Sequence, residues 1–143
     1  MPALDDNLLA LLQKKNLIKP EDLVRVKAEL SGSELGVEEI LLSHNLVNET
    51  NLVKAKSELL QVPYIDVLTT SIAPEALNFL PESVAEKYII LPFSLDKGTK
   101  TLSVVMANPA DLQAIEFIEK KTGMKIKPFS GEKSVLEKEI VGH

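Results

Sequence analysis

The chain has 143 residues, of which 21 are acidic and 16 basic, with a formal charge of −5 at neutral pH and neither Cys nor Trp. The missing cysteines exclude a disulfide scaffold, a cysteine zinc site and a thiol nucleophile, and the acidic balance, with Arg25 as the single arginine, argues against a nucleic-acid partner. No apolar stretch approaches the roughly 20 residues of a membrane span, so we expect a soluble cytoplasmic domain without membrane insertion.

The first 60 residues carry the periodicity of amphipathic helices and almost no strand signal. Apolar side chains recur at three- and four-residue spacing. The predicted helices cover residues 5–15, a segment that opens at Pro20, residues 37–44 and a segment that follows Asn48. Proline suits the first turn of a helix, and asparagine is an effective N-cap. Residues 1–60 are therefore predicted to form a helical subdomain.

Two helix–turn–helix units repeat within this subdomain at an offset of 29 residues, which aligns Asn16 with Asn45 and Leu23 with Leu52. Each asparagine is followed by Leu and a second aliphatic residue. Asparagine tolerates the left-handed backbone conformation that ends many helices, and the aliphatic pair would hold the turn against the core. Two units are too few for a solenoid, so we predict a pseudo-symmetric four-helix subdomain.

After residue 60 the pattern mixes strand and helix signals. Residues 62–67 predict a short edge segment, because Pro63 cannot donate to a strand ladder. We further predict helical turns at 74–80 and 81–88, a hairpin over 89–106, a helix capped by Asn108 and closed by Gly123, a strand at 124–129 and a helix at 132–140. Residues 61–143 should thus form an α/β sandwich, which makes the chain α+β with a small, mostly antiparallel sheet.

The sequence offers little that could assemble an active site. It contains no GxxxxGK[ST] phosphate loop. Its two histidines, His44 and the terminal His143, cannot supply the three or four converging ligands of a metal site, so we interpret His44 as a surface residue at a helix end. Alternating Lys125 and Lys127 are more typical of a guarded strand edge than of a phosphate site. We predict no catalytic residue, no metal ligand and no enzymatic activity.

Eight short motifs follow one another along the chain. They are ILLSHNLV (40–47), LVKAKSE (52–58), VPYIDV (62–67), IAPEAL (72–77), LPESVAEKY (80–88), LPF (91–93), VMANPAD (105–111) and KTG (121–123). Each motif is weak alone, but eight in this order are specific. Together they resemble the N-terminal domain of type II secretion ATPases and type IV pilus assembly ATPases, with the first half closer to the pilus branch.

The resemblance implies a helical front followed by a small α/β sandwich, as the residue patterns also predict. It implies a position ahead of a hexameric motor that the domain docks onto the inner-membrane platform proteins of a pilus or secretion machine. It also implies a location in the cytoplasm, peripheral to the inner membrane through these partners. The motor's phosphate loop would lie downstream, so we expect the chain to be a fragment and ATP hydrolysis to belong to the parent protein.

Some members of this family bind cyclic di-GMP through the two front repeats. Carried over to this chain, the resemblance implies that such a ligand would lie near Asn16, Arg25, Leu35, Gly36 and Asn45. These five residues are the candidate binding residues, and cyclic di-GMP is the one candidate ligand.

The sequence departs from the binding pattern of those members. Their pattern resembles Arg-Leu-Gly, whereas Glu34 precedes Leu-Gly here, and two extra residues follow before the turn. The closing positions hold Glu29 and Glu58 instead of Gln, and glutamates repel a ligand with two phosphates, which favours arginine forks. We expect no required cofactor. Three hypotheses stay open: a docking domain of a motor, a cyclic di-GMP sensor of that motor and a free-standing adaptor without a motor.

Overall fold

The structure is a computed structural model that describes residues 2–142, with side chains described from Asp6 onward; His143 lies outside the described residues. In this range the chain forms eight α-helices and three β-strands. Their bounds are α1 Pro2–Lys14, α2 Pro20–Leu30, α3 Val37–Ser43, α4 Glu49–Leu60, α5 Pro74–Leu77, α6 Glu82–Tyr88, β1 Ile90–Asp96, β2 Thr101–Met106, α7 Leu112–Thr122, β3 Lys125–Ser130 and α8 Lys133–Gly142. The chain divides between Leu59 and Leu60 into two compact units.

The first unit packs the apolar stripes of α1 to α4 into one core. Every helix contributes to it: Leu12 from α1, Val26 from α2, Ile40 from α3 and Leu52 from α4 are at most 1% exposed. Burying a large aliphatic side chain stabilises a fold by about 1.5–3 kcal/mol. The four predicted helices are all present, and Asn48 caps α4 by accepting a hydrogen bond from the Asn51 backbone N–H at 2.8 Å.

Asn16 ends α1 in the left-handed region, with a φ of 58°. The Leu17 N–H donates to the Leu12 carbonyl at 2.9 Å, and the Asn16 N–H donates to the Gln13 carbonyl at 3.0 Å. These two bonds form a Schellman motif, which satisfies the free carbonyls of a helix end. Ile18, two residues after Asn16, is buried at 6% exposure, so the turn is held against the core as the sequence predicts.

Asn45 ends α3 in the same way, with a φ of 54°. The Leu46 N–H donates to the Leu41 carbonyl at 3.0 Å, and the Asn45 N–H donates to the Leu42 carbonyl at 3.1 Å. Val47 is buried at 6% exposure, at the position equivalent to that of Ile18. The repeat read from the sequence is therefore a repeat of backbone geometry as well.

The second unit is built on a three-stranded sheet in the order β1-β2-β3. β1 and β2 form the predicted antiparallel hairpin, with Ile90 opposite Met106. β3 runs parallel to β2, with Thr101 opposite Lys125, because α7 carries the chain across from the end of one strand to the start of the next. The α+β class is confirmed, and the sheet is mixed, with one antiparallel and one parallel pairing.

The segment predicted as an edge strand at residues 62–67 makes only a single bridge, between Tyr64 and Ser130. The Ser130 N–H donates to the Pro63 carbonyl at 2.8 Å, and the Ile65 N–H donates to the Ser130 carbonyl at 3.0 Å. Pro63 has no N–H, and the chain turns into a 3₁₀ turn at Val67–Thr69. Pairing therefore stops after one residue.

The predicted cap of α7 was wrong. Asp111, not Asn108, is the N-cap, and its carboxylate accepts a hydrogen bond from the Ala114 N–H at 3.1 Å. Asn108 instead starts a tight turn, in which its carbonyl accepts from the Asp111 N–H at 3.1 Å. The predicted closure is confirmed, because Gly123 has a φ of 72° at the end of α7.

The outer edge of β3 carries its own protection. The Ile126 N–H donates to a Glu119 carboxylate oxygen at 3.0 Å, Pro128 has no N–H, and the Ser130 N–H is bonded as described above. Lys125 and Lys127 are exposed on the same strand. Occupied donors and charged side chains both prevent another strand from adding to a sheet edge.

A buried carboxylate lies beside the sheet. Glu132 is 5% exposed, and the Tyr64 hydroxyl donates to its Oε1 at 2.5 Å. Burial of Tyr64 and its hydrogen bond to Glu132 raise the pKa of this tyrosine above its ordinary value. The preceding residue is Gly131, where a Cβ atom would lie 2.6 Å from a methyl group of Val105, so only glycine fits this close approach.

We expect Asn16→Val to lower the free energy of unfolding by about 1–2 kcal/mol, because a β-branched side chain disfavours the left-handed conformation. Asn16→Gly should be neutral or stabilising, since glycine adopts it freely. Asn45→Val should behave like Asn16→Val. Urea unfolding followed by circular dichroism measures all three variants. Equal stability of the valine and glycine variants would contradict the assignment of these turns.

We expect Tyr64→Phe to lower the free energy of unfolding at pH 7 by about 1–3 kcal/mol, because buried Glu132 loses its donor. This loss should shrink above about pH 10. The raised pKa keeps the Tyr64 hydroxyl protonated in the folded protein, whereas the unfolded chain releases this proton above about pH 10. The wild type therefore loses stability as the pH rises, and Tyr64→Phe, which has no hydroxyl at this position, does not.

Urea unfolding at pH 7, 9 and 10.5 tests this pH dependence. Tyr88→Phe is the control, because no hydrogen bond of the Tyr88 hydroxyl occurs among the described residues. Identical curves for Tyr64→Phe and the wild type at pH 7 would refute a stabilising role of the Tyr64–Glu132 contact.

Candidate functional site

The two asparagine turns line one open cleft of the first unit. Its volume is about 430 Å³. The lining residues are Asn16, Leu17, Ile18, Lys19, Pro20, Asp22, Asn45 and Leu46. Because α1 and α3 end in the same motif, the repeat brings equivalent residues, Asn16 with Asn45 and Leu17 with Leu46, to one surface.

The five candidate binding residues are distributed over this unit. Asn16 and Asn45 share the cleft, as stated above. Arg25 is exposed on α2, Leu35 is 45% exposed in the loop between α2 and α3, and Gly36 is the N-cap of α3. Within the described part of the chain, the cleft lining includes neither Arg25, Leu35 nor Gly36. The structure thus brings the two turn residues together and leaves the other three outside the cleft.

The formal charges of the cleft lining cancel. Lys19 contributes one positive charge and Asp22 one negative charge, and the remaining lining residues are neutral. A ligand with two phosphates is bound most strongly by several cations, above all by the planar fork of arginine. The lining itself supplies one lysine and no arginine.

Two ion pairs connect the repeats beside the turns. Lys15 Nζ lies 3.0 Å from Glu58 Oε2, and His44 Nε2 lies 3.0 Å from Glu29 Oε2. Each basic residue, Lys15 or His44, directly precedes a turn asparagine, and each glutamate closes the other repeat unit. Residue i of one unit meets residue j of the other, and j meets i, so the contacts between the two repeat units are reciprocal.

Both oxygens of the Glu29 carboxylate face the His44 ring. His44 Nε2 is hydrogen-bonded to Oε1 at 3.0 Å, and Oε2, at the same distance, is buried without a hydrogen bond among the described residues. The predicted position of His44 at a helix end is confirmed, since it is the C-cap of α3. Its partner was not foreseen.

The sequence contains a signal for these pairs. Lys15 and His44 occupy equivalent repeat positions, as do Glu29 and Glu58. A basic residue before each turn and an acidic residue at the end of each unit are compatible with reciprocal pairing. The glutamate that closes each unit is therefore paired with a basic side chain of the other unit.

Among the described residues, no three His, Asp or Glu side chains lie close enough to hold a metal ion. No helix in this range combines the length and the apolar character that crossing a bilayer requires.

A family model described as "MshEN domain" matches residues 60–142. This match covers more than half of the chain and coincides with the second unit, whereas the cleft and both ion pairs lie in the first unit. The match therefore rests on the second unit.

Two relatives are type IV pilus assembly ATPases named PilB. The protein of Thermus thermophilus is 26% identical over 142 residues, which is 97% of this chain and 16% of the relative. The protein of Myxococcus xanthus is 25% identical over 116 residues, which is 81% of this chain and 20% of the relative. The chain thus spans about a sixth to a fifth of the length of these relatives.

Solved structures share the fold. A structure of MshE with cdg has a TM-score of 0.79 at 21% identity and covers 94% of this chain and 96% of that chain. The N-terminal domain of XpsE has a TM-score of 0.71 at 21% identity and covers 96% and 94%. The likeness to N-terminal domains of secretion and pilus ATPases that the sequence motifs predict is confirmed. By its family match, the chain belongs to the MshEN domain family.

Proposed function

We propose that this chain is the non-catalytic docking and regulatory domain of a motor ATPase that assembles type IV pili or drives type II secretion. One observation carries the proposal: almost the whole chain, 97% of it, aligns with only 16% of a type IV pilus assembly ATPase. Such a match is typical of one discrete domain within a longer motor protein. The domain would couple a hexameric motor to the platform proteins of the inner membrane, from the cytoplasmic side.

The polar pairs of the structure support a structural rather than a catalytic use of its titratable groups. The Tyr64–Glu132 pair joins the segment before the sheet to the start of α8. The Lys15–Glu58 and His44–Glu29 pairs join the two helical repeats. A general acid or base must reach a substrate proton, whereas each of these groups already faces a partner from the same unit.

We expect the intact motor to bind the cytoplasmic segments of its platform proteins and to lose this binding when residues 1–142 are deleted. ATP hydrolysis should persist in the deleted motor, because the proposal assigns it to the downstream part. Co-sedimentation with platform-bearing vesicles measures docking, and phosphate release measures hydrolysis. A deleted motor that still docks would contradict the proposal, as would loss of hydrolysis with docking intact.

Cyclic di-GMP sensing is the second candidate function. Two observations favour it: the cleft of about 430 Å³ joins both repeat turns, and the fold is shared with MshE, which was solved with cdg. The charges oppose it. Glu29 and Glu58 occupy the closing positions, and Arg25 lies outside the cleft lining, so few groups would neutralise two phosphates.

We expect isothermal titration of the chain with cyclic di-GMP to show no saturable heat, or a Kd weaker than about 100 μM. The Glu29→Gln/Glu58→Gln variant is the informative comparison, because it restores the family's closing residues and frees Lys15 and His44. Tighter binding by this variant than by the wild type would show that the glutamates exclude the nucleotide. Saturable wild-type binding at a few micromolar would instead favour the sensor over the docking domain.

A further inference from the structure

We propose that a groove between α6 and α8 of the second unit binds a partner segment that presents an apolar side chain flanked by Lys or Arg. The groove contains a cavity of about 220 Å³. Its lining residues are Glu86, Ile89, Glu137, Ile140 and Val141. The inference rests on the proposed docking function and names the surface and the chemistry through which docking would occur.

The floor of the groove is apolar and reaches solvent. Val141 is 68% exposed, while its neighbour Ile140 is buried at 4% exposure. A second cavity of about 130 Å³ shares Ile140 and adds Leu80 and Glu82 to the lining. Cavities of this size are smaller than the roughly 300–1,000 Å³ of small-molecule pockets, so they suit individual side chains of a peptide better than a nucleotide.

The rim of the groove is acidic on both helices. Glu86 lies on α6 and Glu137 on α8, both exposed, and Glu82 lies one turn before Glu86. None of these three glutamates forms an ion pair with a described Lys, Arg or His. The neighbouring Lys87 is directed elsewhere, with its Nζ 5.2 Å from the centre of the Tyr88 ring. Unpaired carboxylates around an apolar floor are complementary to a cationic, apolar segment.

Ile89 supplies a second, independent observation. It ends α6 in the left-handed region with a φ of 53° and a ψ of 63°. The other described residues with positive φ are Asn16, Asn45, Gln61, Lys100 and Gly123, none of them β-branched. A β-branched residue in this region is a genuine outlier, so the backbone at Ile89 is strained. Asn or Gly would relieve this strain but would remove the apolar side chain from the groove.

A pair of fluorescein-labelled model peptides tests the groove: an amphipathic Leu/Lys helix and the same sequence with Glu in place of every Lys. Fluorescence anisotropy with the full chain should show saturable binding of the Lys peptide and none of the Glu peptide. Glu137→Lys and Val141→Asp should each weaken binding of the Lys peptide roughly tenfold or more.

Matched controls separate the groove from general attraction to an acidic protein. Glu116→Lys, at an exposed position of α7, changes the net charge by as much as Glu137→Lys does. Leu112→Asp is the match for Val141→Asp, because Leu112 is an apolar residue that is 66% exposed. Both should leave binding within about twofold of the wild type. Equal weakening by groove and control variants, or no binding of the Lys peptide by the wild type, would overturn the proposal.

Ile89→Asn tests the strained position. Relief of the backbone strain should offset the loss of the half-buried apolar side chain, so thermal unfolding should shift little, while binding of the Lys peptide should fall roughly tenfold. A variant with unchanged binding would remove Ile89 from the site and contradict the proposal.

The same variants against the platform segments distinguish this inference from the proposed function. If wild type and groove variants bind a platform segment equally well, docking holds and the groove is refuted as its site. If no platform segment binds but the Lys peptide binds through the groove, the proposed function fails and the groove remains as a peptide site.

Discussion

Two asparagines in the left-handed conformation set the geometry of the helical unit. Asn16 and Asn45 end α1 and α3 with the same two backbone hydrogen bonds, which fixes where each following helix begins. The shared cleft and the reciprocal side-chain pairs between the repeats both depend on these two turns. Positions of this kind usually hold glycine, and here each holds asparagine, which also tolerates the left-handed conformation.

Local sequence signals predicted much of this fold. The features that were not predicted correctly, the cap of α7 and the Tyr64–Glu132 contact, are ones that the local sequence does not determine. The asparagine turns, the hairpin and the left-handed Gly123 each follow from a few adjacent residues. Asn108 and Asp111 are both good capping residues three positions apart, and only the structure shows that Asp111 is used. The Tyr64–Glu132 contact joins residues far apart in the sequence, and no periodicity indicates such a partner.

Of the five candidate binding residues, local sequence signals identified two that share a cleft. The internal repeat marks Asn16 and Asn45, which do share a cleft, whereas Arg25, Leu35 and Gly36 came from a family pattern that this chain matches incompletely. Glu29 and Glu58, at the closing positions of the two units, each pair with a basic residue of the other unit, His44 and Lys15. The glutamates therefore have a structural role at these positions. The strain at Ile89 could not be foreseen, because a left-handed conformation is least expected for a β-branched residue.

We propose that this MshEN domain docks a motor ATPase to its membrane platform. Hydrogen–deuterium exchange of the motor, with and without the cytoplasmic segments of the platform proteins, is the decisive measurement. Docking through this domain predicts slower exchange within residues 60–142, strongest in α6 and α8, when those segments are added. Unchanged exchange throughout residues 2–142, with protection elsewhere in the motor, would contradict it.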